Sequence, residues 1–286
     1  MPQQPIRRAA VAGSWYPGSA EALRRAVQKH LAEASPFDAP EVRAVVAPHA
    51  GLVYSGPVGA FAYAAVAGRP YDAVVLVGPS HYVAFDGVAC VTRGVFETPL
   101  GMMPIEEELA GAIRAASRCT RELPEAHARE HSLEMQLPFL ACVLPGKPIV
   151  PLVMGQQSRE TVEDLAAALA VALQGRDVLL VASTDLSHYH PAATAAVLDG
   201  RVVDLVNRFD PDALLDLVER VPEHACGGGP AASVMLAARR LGARQARVLR
   251  YADSGDVSGD KGAVVGYMAA AIGTFDRPGA GREEPS

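Results

Sequence analysis

Histidine and aspartate side chains follow three predicted strands at nearly equivalent positions. The runs V-R-A-V-V-A, D-A-V-V-L-V and D-V-L-L-V-A are soon followed by His49, by His81, and by Asp185 with His188. In an open α/β sheet, ligands bind beyond the carboxyl ends of the strands. A lone histidine there is typical of a turn, and Asp185 could cap a helix, but the recurrence favours one functional site. His188 is preferred to His190 because it lies closer to the strand end.

A cysteine in a glycine-rich loop is a second candidate for chemistry. Cys226 precedes three glycines and Pro230, so the backbone there can turn sharply and approach a bound group closely. A cysteine on such a loop at a helix start acts as a ligand or a nucleophile, although an incidental loop cysteine is the alternative. The other cysteines, Cys90, Cys119 and Cys142, lie in apolar periodic segments and are expected to pack as small hydrophobic residues.

Two further segments contain candidate pocket residues. His131 and Glu134 lie three residues apart in E-H-S-L-E-M-Q and would share one face of a helix, either in a pocket or on a plain surface. Trp15 is the only tryptophan, and Tyr54 follows His49 by five residues. Both aromatic residues are expected to line a pocket, or else Trp15 packs the N-terminus onto the core.

The elements that must position these residues alternate along the chain. Apolar runs predict strands at 42–47, 73–77, 149–153, 178–182 and 246–251, with a further candidate at 263–268. Helical periodicity predicts helices at 21–34, 132–143, 159–174, 194–207, 211–219 and 230–241. Another helix is expected to have Pro104 in its first turn and to carry Ile105, Leu109 and Ile113. The segment 87–101 reads as a hairpin with its turn at Arg93-Gly94.

Strands that alternate with helices predict an α/β fold with a largely parallel or mixed sheet and helices on both faces. The sequence contains no linker rich in proline, glycine and serine, and no internal repeat. We therefore predict a single domain over residues 1–275. The remaining residues, 276–286, are predicted to be a disordered tail.

Composition excludes several classes of function. The formal net charge is -6, and no basic patch points to nucleic acid. The longest apolar run, near 165–173, is far shorter than the roughly 20 residues of a membrane span. The N-terminus lacks the apolar core of a signal peptide, so a cytoplasmic protein is expected. The four cysteines form no C-x-x-C pair, which argues against a disulfide framework.

Six ordered motifs resemble those of the Memo family, which in bacteria is labelled AmmeMemoRadiSam system protein B. They are A-G-S-W-Y-P-G at 12–18, P-H-A-G-L-V-Y-S-G at 48–56, G-P-S-H-Y at 78–82, T-P-L-G at 98–101, E-H-S-L-E-M-Q-L-P at 130–138 and S-T-D-L-S-H-Y at 183–189. The resemblance spans residues 6–272. It implies a fold similar to that of the class III extradiol dioxygenases of the LigB type.

The resemblance also implies a site. A metal would be held by His49, His81 and Cys226, with iron(II) as the expected ion and copper or zinc as alternatives. His188 matches the position of a catalytic acid or base in the dioxygenases, and Asp185 lies beside it. Ring-cleaving relatives use two histidines and a glutamate, whereas this chain offers a softer and more easily oxidised thiolate.

Three functions follow from the resemblance. The first is an iron(II)-dependent redox protein or oxidoreductase whose substrate is not identified. The second is an extradiol ring-cleaving dioxygenase, and the third is a non-catalytic adaptor that binds a small molecule, a peptide or a protein. Family context implies an AMMECR-like protein and a radical SAM enzyme as partners.

Overall fold

The strands of the protein are short apolar segments, and most of them belong to one sheet. The structure is a computed structural model that describes residues 4–275. Its strands are β1 (Ile6–Arg7), β2 (Glu41–Ala47), β3 (Ala73–Pro79), β4 (Val88–Cys90), β5 (Val95–Thr98), β6 (Gly101–Pro104), β7 (Thr120–Glu122), β8 (Ile149–Met154), β9 (Val178–Ser183), β10 (His188–His190), β11 (Gln245–Asp253) and β12 (Val264–Thr274).

Helices follow most of these strands. They are α1 (Ala20–Glu33), α2 (Leu52–Ala64), α3 (Glu107–Ala116), α4 (Pro124–Ala128), α5 (Leu137–Val143), α6 (Arg159–Ala172), α7 (Ala192–Asn207), α8 (Pro211–Arg220), α9 (Gly228–Arg240) and α10 (Gly255–Ser258). Short 3-10 turns occur at Glu134–Gln136 and Pro222–His224. No helix within residues 4–275 is both long enough and apolar enough to cross a membrane.

The main sheet is mixed, with a parallel centre. Its strand order is β10-β12-β2-β9-β3-β8-β4-β7, and β11 also pairs with β12. Strands β2, β9, β3 and β8 are parallel, whereas β12 is antiparallel to β2 and β4 is antiparallel to β8. A small sheet is formed by β1, β5 and β6. The prediction of a single-domain α/β fold with a largely parallel or mixed sheet is confirmed.

The central strands are covered on both faces. Every residue of β3, β8 and β9 is buried. Since successive strand residues point to opposite faces, full burial means that helices cover the sheet on either side. Among these helices, α9 packs against β9 and β3, and α2 packs against β2 and β12. The carboxyl ends of β2, β9 and β3 are therefore adjacent, and helices pack against the strands that carry them.

The structure differs from the predicted elements at several places, of which the first two lie between β4 and α3. The predicted hairpin at 87–101 is wrong, because β4 pairs with β7 and β8, whereas β5 turns into β6 after Thr98. Gly94 instead allows the backbone of Pro5 to approach closely, since a Cβ on Gly94 would lie 2.4 Å from the carbonyl oxygen of Pro5. Pro104 ends β6, and the helix begins only at Glu107.

The other differences concern helices. Segment 132–143 contains a turn, a 3-10 turn and then α5, rather than one continuous helix. Helix α2 was not predicted, because it is buried on nearly every side and therefore shows no amphipathic period. It also contains Pro57. The predicted disordered tail, residues 276–286, lies outside the described residues.

Candidate metal centre

The site lies beyond the carboxyl ends of three adjacent parallel strands. His49 follows β2, His81 follows β3, and Asp185 follows β9, which lies between them in the sheet. The rings of His49 and His81 meet edge to face with their centroids 5.2 Å apart. The convergence expected from the sequence therefore occurs, because parallel strands bring their carboxyl ends to one edge.

Cys226 joins the two histidines from a distant part of the chain. Its Sγ lies 3.3 Å from Nε2 of His49. One potential ligand atom from each of His49, His81 and Cys226 lies within 4.8 Å of the other two. The loop of Cys226 is bound to the end of β9, because the backbone N–H of Cys226 donates to the carbonyl of Asp185 over 3.2 Å. In addition, the hydroxyl of Thr184 accepts from the N–H of Gly227 over 2.9 Å.

The hydrogen bonds of Ser183 determine the tautomer of His49. The Ser183 hydroxyl donates to the carbonyl of Ser132 over 2.6 Å, and it accepts from the amide of Gln136 over 2.8 Å. Its remaining contact is Nδ1 of His49 at 2.9 Å, and with the hydroxyl proton already engaged this nitrogen must donate. The lone pair of His49 therefore lies on Nε2, the atom that faces Cys226.

A buried carboxylate orients His81 in the same way. Nδ1 of His81 lies 2.9 Å from Oε1 of Glu130, and the backbone N–H of His81 donates to Oε2 over 2.6 Å. Histidine ligands of metals commonly donate their second ring N–H to a carboxylate. His81, Glu130 and His131 form another group with potential ligand atoms within 4.8 Å of one another. Glu130 also accepts from the backbone N–H of Ser132, so both of its carboxylate oxygens are already engaged in hydrogen bonds within the protein.

Burial controls the charge of the candidate ligands. Desolvation lowers the pKa of His49 well below its usual range, so the ring is neutral and can offer a lone pair. Burial, followed by the charge of Asp185, raises the pKa of the Cys226 thiol far above its usual range. The thiol is therefore protonated when no cation is near, and binding a cation would release its proton. This donor set, two imidazoles and one thiol, fits a transition metal.

His188 and Asp185 lie beside this group but differ in their contacts. Oδ1 of Asp185 accepts from the backbone N–H of His49 over 2.7 Å, so this carboxylate holds the histidine loop. Burial raises the pKa of Asp185 to about 6. Nε2 of His188 is buried and has no hydrogen-bond partner among residues 4–275. Tyr189 has a φ of 62°, which produces an irregularity in the pairing of β10 with β12.

His131 lies between Trp15 and the two histidines of the site, His49 and His81. The rings of Trp15 and His131 have centroids 4.2 Å apart, and His131 stacks on His81 with centroids 4.5 Å apart. Trp15 and Tyr54 also line a cavity of about 600 Å³. The structure therefore brings both aromatic residues to one cavity and places the indole ring against His131.

Glu134 has a different position from the one expected. It lies in a 3-10 turn, and it does not share a helical face with His131, which precedes that turn. The carboxylate is fully buried and accepts from the backbone N–H groups of Ala10 and Val11, and from the hydroxyl of Tyr16 over 2.6 Å. It also pairs with Arg7. Glu134 therefore anchors the N-terminal segment that carries Trp15, and it does not line the cavity.

Several residues of the site were missed in the sequence. Ser183, Glu130 and Gln136 orient the histidines, and Gln157 contacts the Cys226 loop. Glu130 and Gln136 lie in E-H-S-L-E-M-Q, but the pattern gave no reason to select them. Their roles depend on contacts between segments that lie far apart in the chain.

The fold and the site define an α/β protein with a centre of histidine and cysteine side chains at the carboxyl edge of its sheet. The chain belongs to the Memo family, because the sequence model of that family, described as Memo-like protein, matches residues 7–271. A MEMO1 family protein of Methanothermobacter thermautotrophicus is 40% identical over 275 residues, covering 92% of this chain and 98% of the relative. Another, of Methanopyrus kandleri, is 38% identical over 278 residues, covering 92% and 97%.

A solved structure is similar in fold. The crystal structure of an uncharacterized protein from Escherichia coli K12 has a TM-score of 0.51 to this chain. The similarity covers 82% of this chain and 100% of that chain, at 14% sequence identity. At this identity the likeness concerns the arrangement of strands and helices alone.

Proposed function

We propose that this protein binds one iron(II) ion through His49, His81 and Cys226 and acts as a non-haem redox protein or oxidoreductase. The observation that carries the proposal is the distance of 3.3 Å between Nε2 of His49 and Sγ of Cys226. A neutral imidazole lone pair and a thiol that face each other at this distance can share a cation. His81, with Nδ1 engaged by Glu130, has its Nε2 available as the third ligand atom.

The chemistry of the donor set supports a site that is open to reaction. Three protein ligands leave further coordination positions for a substrate, and a bound iron ion supplies electron-transfer chemistry. The thiolate is soft, so copper(I) and zinc are the competing ions. In this proposal the protein acts in the cytoplasm, where a reducing environment keeps Cys226 as a thiol. His188 would hold or accept a proton at Nε2 beside the bound substrate.

The cavity beside Trp15 and Tyr54 supports a binding role for the substrate. Its volume of about 600 Å³ suits a small molecule or one or two side chains of a peptide. Trp15 would contact this substrate, and its ring also lies against His131, with the centroids 4.2 Å apart. Membership of the Memo family is the support for action with an AMMECR-like protein and a radical SAM enzyme as partners.

Anaerobic loading with iron(II) followed by elemental analysis tests the metal proposal. The purified chain is expected to retain about one equivalent of iron, whereas His49→Ala and His81→Ala each leave two protein ligands and should retain almost none. Cys90→Ala is the matched control, because Cys90 is a buried cysteine in β4. Near-native iron in either histidine variant, or loss of iron from a folded Cys90→Ala protein, would contradict the proposal.

Ring cleavage is a second candidate function. The buried Nε2 of His188, which has no partner among the described residues, favours it, since ring cleavage uses an acid or base near the metal. Cys226 in place of a glutamate argues against it. Incubating the iron-loaded protein with a panel of catechols in air decides the matter. Oxygen-dependent yellow products would support ring cleavage, and no product across the panel would remove it.

A further inference from the structure

Gln157 connects two points of the Cys226 loop. It lies between β8 and α6, and its side-chain amide donates from Nε2 to the carbonyl oxygen of Cys226 over 2.7 Å. Its Oε1 accepts from the backbone N–H of Gly229, also over 2.7 Å. One side chain therefore binds both Cys226 and Gly229, which lies in the first turn of α9. A glutamine suits this position, because it offers a donor to the carbonyl and an acceptor to the N–H.

The backbone of the loop is shaped to receive this side chain. A Cβ on Gly229 would lie 2.8 Å from Cβ of Gln157 and 2.9 Å from its Oε1. Such distances are shorter than van der Waals contact, so any larger residue would push the amide away. The glycine allows the loop and Gln157 to approach closely, which links one glycine of the run to a specific partner.

Gln157 and the end of β9 bind different backbone groups of the loop. Thr184 and Asp185, at the end of β9, bind the backbone N–H groups of Gly227 and Cys226. Gln157, beyond the end of β8, binds the carbonyl of Cys226. Because the loop is bound by residues at the ends of two strands, these residues set the position of Sγ relative to Nε2 of His49.

We infer that Gln157 is a positioning residue for Cys226, which sets the thiol at the distance that a shared metal ion requires. The inference rests on the proposed function, because it assumes that Cys226 is a ligand. Partners that orient metal ligands typically change metal affinity about 10- to 100-fold when they are removed. Gln157→Glu keeps the size of the side chain but places oxygen lone pairs against the carbonyl of Cys226. It should therefore displace the loop.

Cobalt(II) is the probe, because a thiolate bound to it absorbs in the near ultraviolet. The wild-type chain, titrated anaerobically, should show this absorption. Gln157→Glu should bind cobalt(II) about 10- to 100-fold more weakly, with the absorption band shifted or reduced. Gln156→Glu is the control, since it adds the same charge at the neighbouring exposed residue. It should leave the affinity and the band unchanged.

A double-mutant cycle with Cys226→Ser separates positioning from a general effect on the fold. If Gln157 acts through the thiol, Gln157→Glu should weaken cobalt(II) binding much less in the Cys226→Ser background. Equal weakening in both backgrounds would overturn the inference. Absence of the thiolate band in the wild type would instead overturn the proposed function. An unchanged affinity and band in Gln157→Glu would overturn the inference alone.

Gln157→Met is the second variant, because it fills the same space without either hydrogen bond. If Gln157→Glu is unfolded by circular dichroism, the same titration with Gln157→Met replaces it, and weaker binding with an altered band is again expected. Unfolding of both variants would show that Gln157 serves the fold and not Cys226, which would also overturn the inference.

Discussion

The hydroxyl of Ser183 accepts a hydrogen bond from Nδ1 of His49 over 2.9 Å, because its own proton is donated to the carbonyl of Ser132. Ser183→Ala removes this acceptor, so the histidine can rotate or change tautomer. We expect iron(II) affinity to fall about 10- to 100-fold in an anaerobic titration. Ser233→Ala is the control, since Ser233 is a buried serine on α9 whose hydroxyl donates to a carbonyl. Equal affinity in the two variants would contradict the orienting role.

Substitutions of Cys226 and of His188 should have different effects, the first on metal binding and the second on proton transfer. Cys226→Ser should bind iron(II) much more weakly, because a hydroxyl is a poorer ligand than a thiolate. His188→Ala should bind iron(II) almost normally while losing proton-transfer chemistry, typically by about 10²- to 10⁴-fold. Anaerobic titration of both variants measures the first effect. Loss of metal from His188→Ala with retention in Cys226→Ser would mean that the site has three histidine ligands.

The hydrogen bond between Tyr16 and Glu134 should stabilise the segment that carries Trp15. Both side chains are buried, and the hydroxyl lies 2.6 Å from Oε1. Tyr16→Phe should lower the free energy of unfolding by about 1–3 kcal/mol, because the carboxylate loses a buried donor. Trp15 is the only tryptophan, so its emission should also move to longer wavelength. Tyr189→Phe, at a side chain that is 77% exposed, should change neither property.

The carboxylate of Asp164 should make stability depend on pH in the acid range. Burial raises its pKa, but hydrogen bonds from Ser117, Cys119 and nearby backbone N–H groups outweigh burial and hold the pKa at about 2, below the ordinary 3.8. The folded state therefore favours the charged form, and this stabilisation is lost as the pH falls from about 4 towards 2.

Chemical denaturation of Asp164→Asn across this range measures the effect. The variant should be less stable than the wild type at neutral pH, and the difference should shrink as the pH approaches 2. Asp204→Asn, at an exposed position of α7, is the control. A stability difference between Asp164→Asn and the wild type that is constant with pH would contradict the role given to this carboxylate.

Gly227 should tolerate no side chain. A Cβ there would lie 2.3 Å from the carbonyl oxygen of Ser183 and 2.8 Å from Cβ of Thr184. Gly227→Ala should therefore cost about 1–3 kcal/mol of stability and weaken metal binding, because it forces the Cys226 loop away from β9. Gly200→Ala, in α7 with open space around it, should instead stabilise the protein by about 0.5–1 kcal/mol. Thermal unfolding of the two variants should shift in opposite directions.

The convergence of His49, His81 and Asp185 could be predicted from the sequence because the rule is local. Each residue follows an apolar run, and parallel strands bring their carboxyl ends together whatever lies between them. Cys226 could be selected by its glycines but not placed, because its position depends on contacts with Thr184, Asp185 and a glutamine far along the chain.

Other features depend on burial, which a one-dimensional pattern does not contain. Glu134 looked like a pocket residue because it lies near His131, yet its four partners come from the first sixteen residues. Helix α2 has apolar residues all round, so periodicity did not reveal it. Gly94 looked like a turn residue, but it is needed for contact with Pro5.

The pairing of β12 with β2 has a consequence for synthesis of the chain. Strand β2 is synthesised long before one of its two neighbours in the sheet, β12. Until then, one edge of β2 presents unpaired backbone groups just ahead of His49. A nascent chain stalled before residue 264 would therefore expose an apolar strand edge that invites association with other chains or with a chaperone.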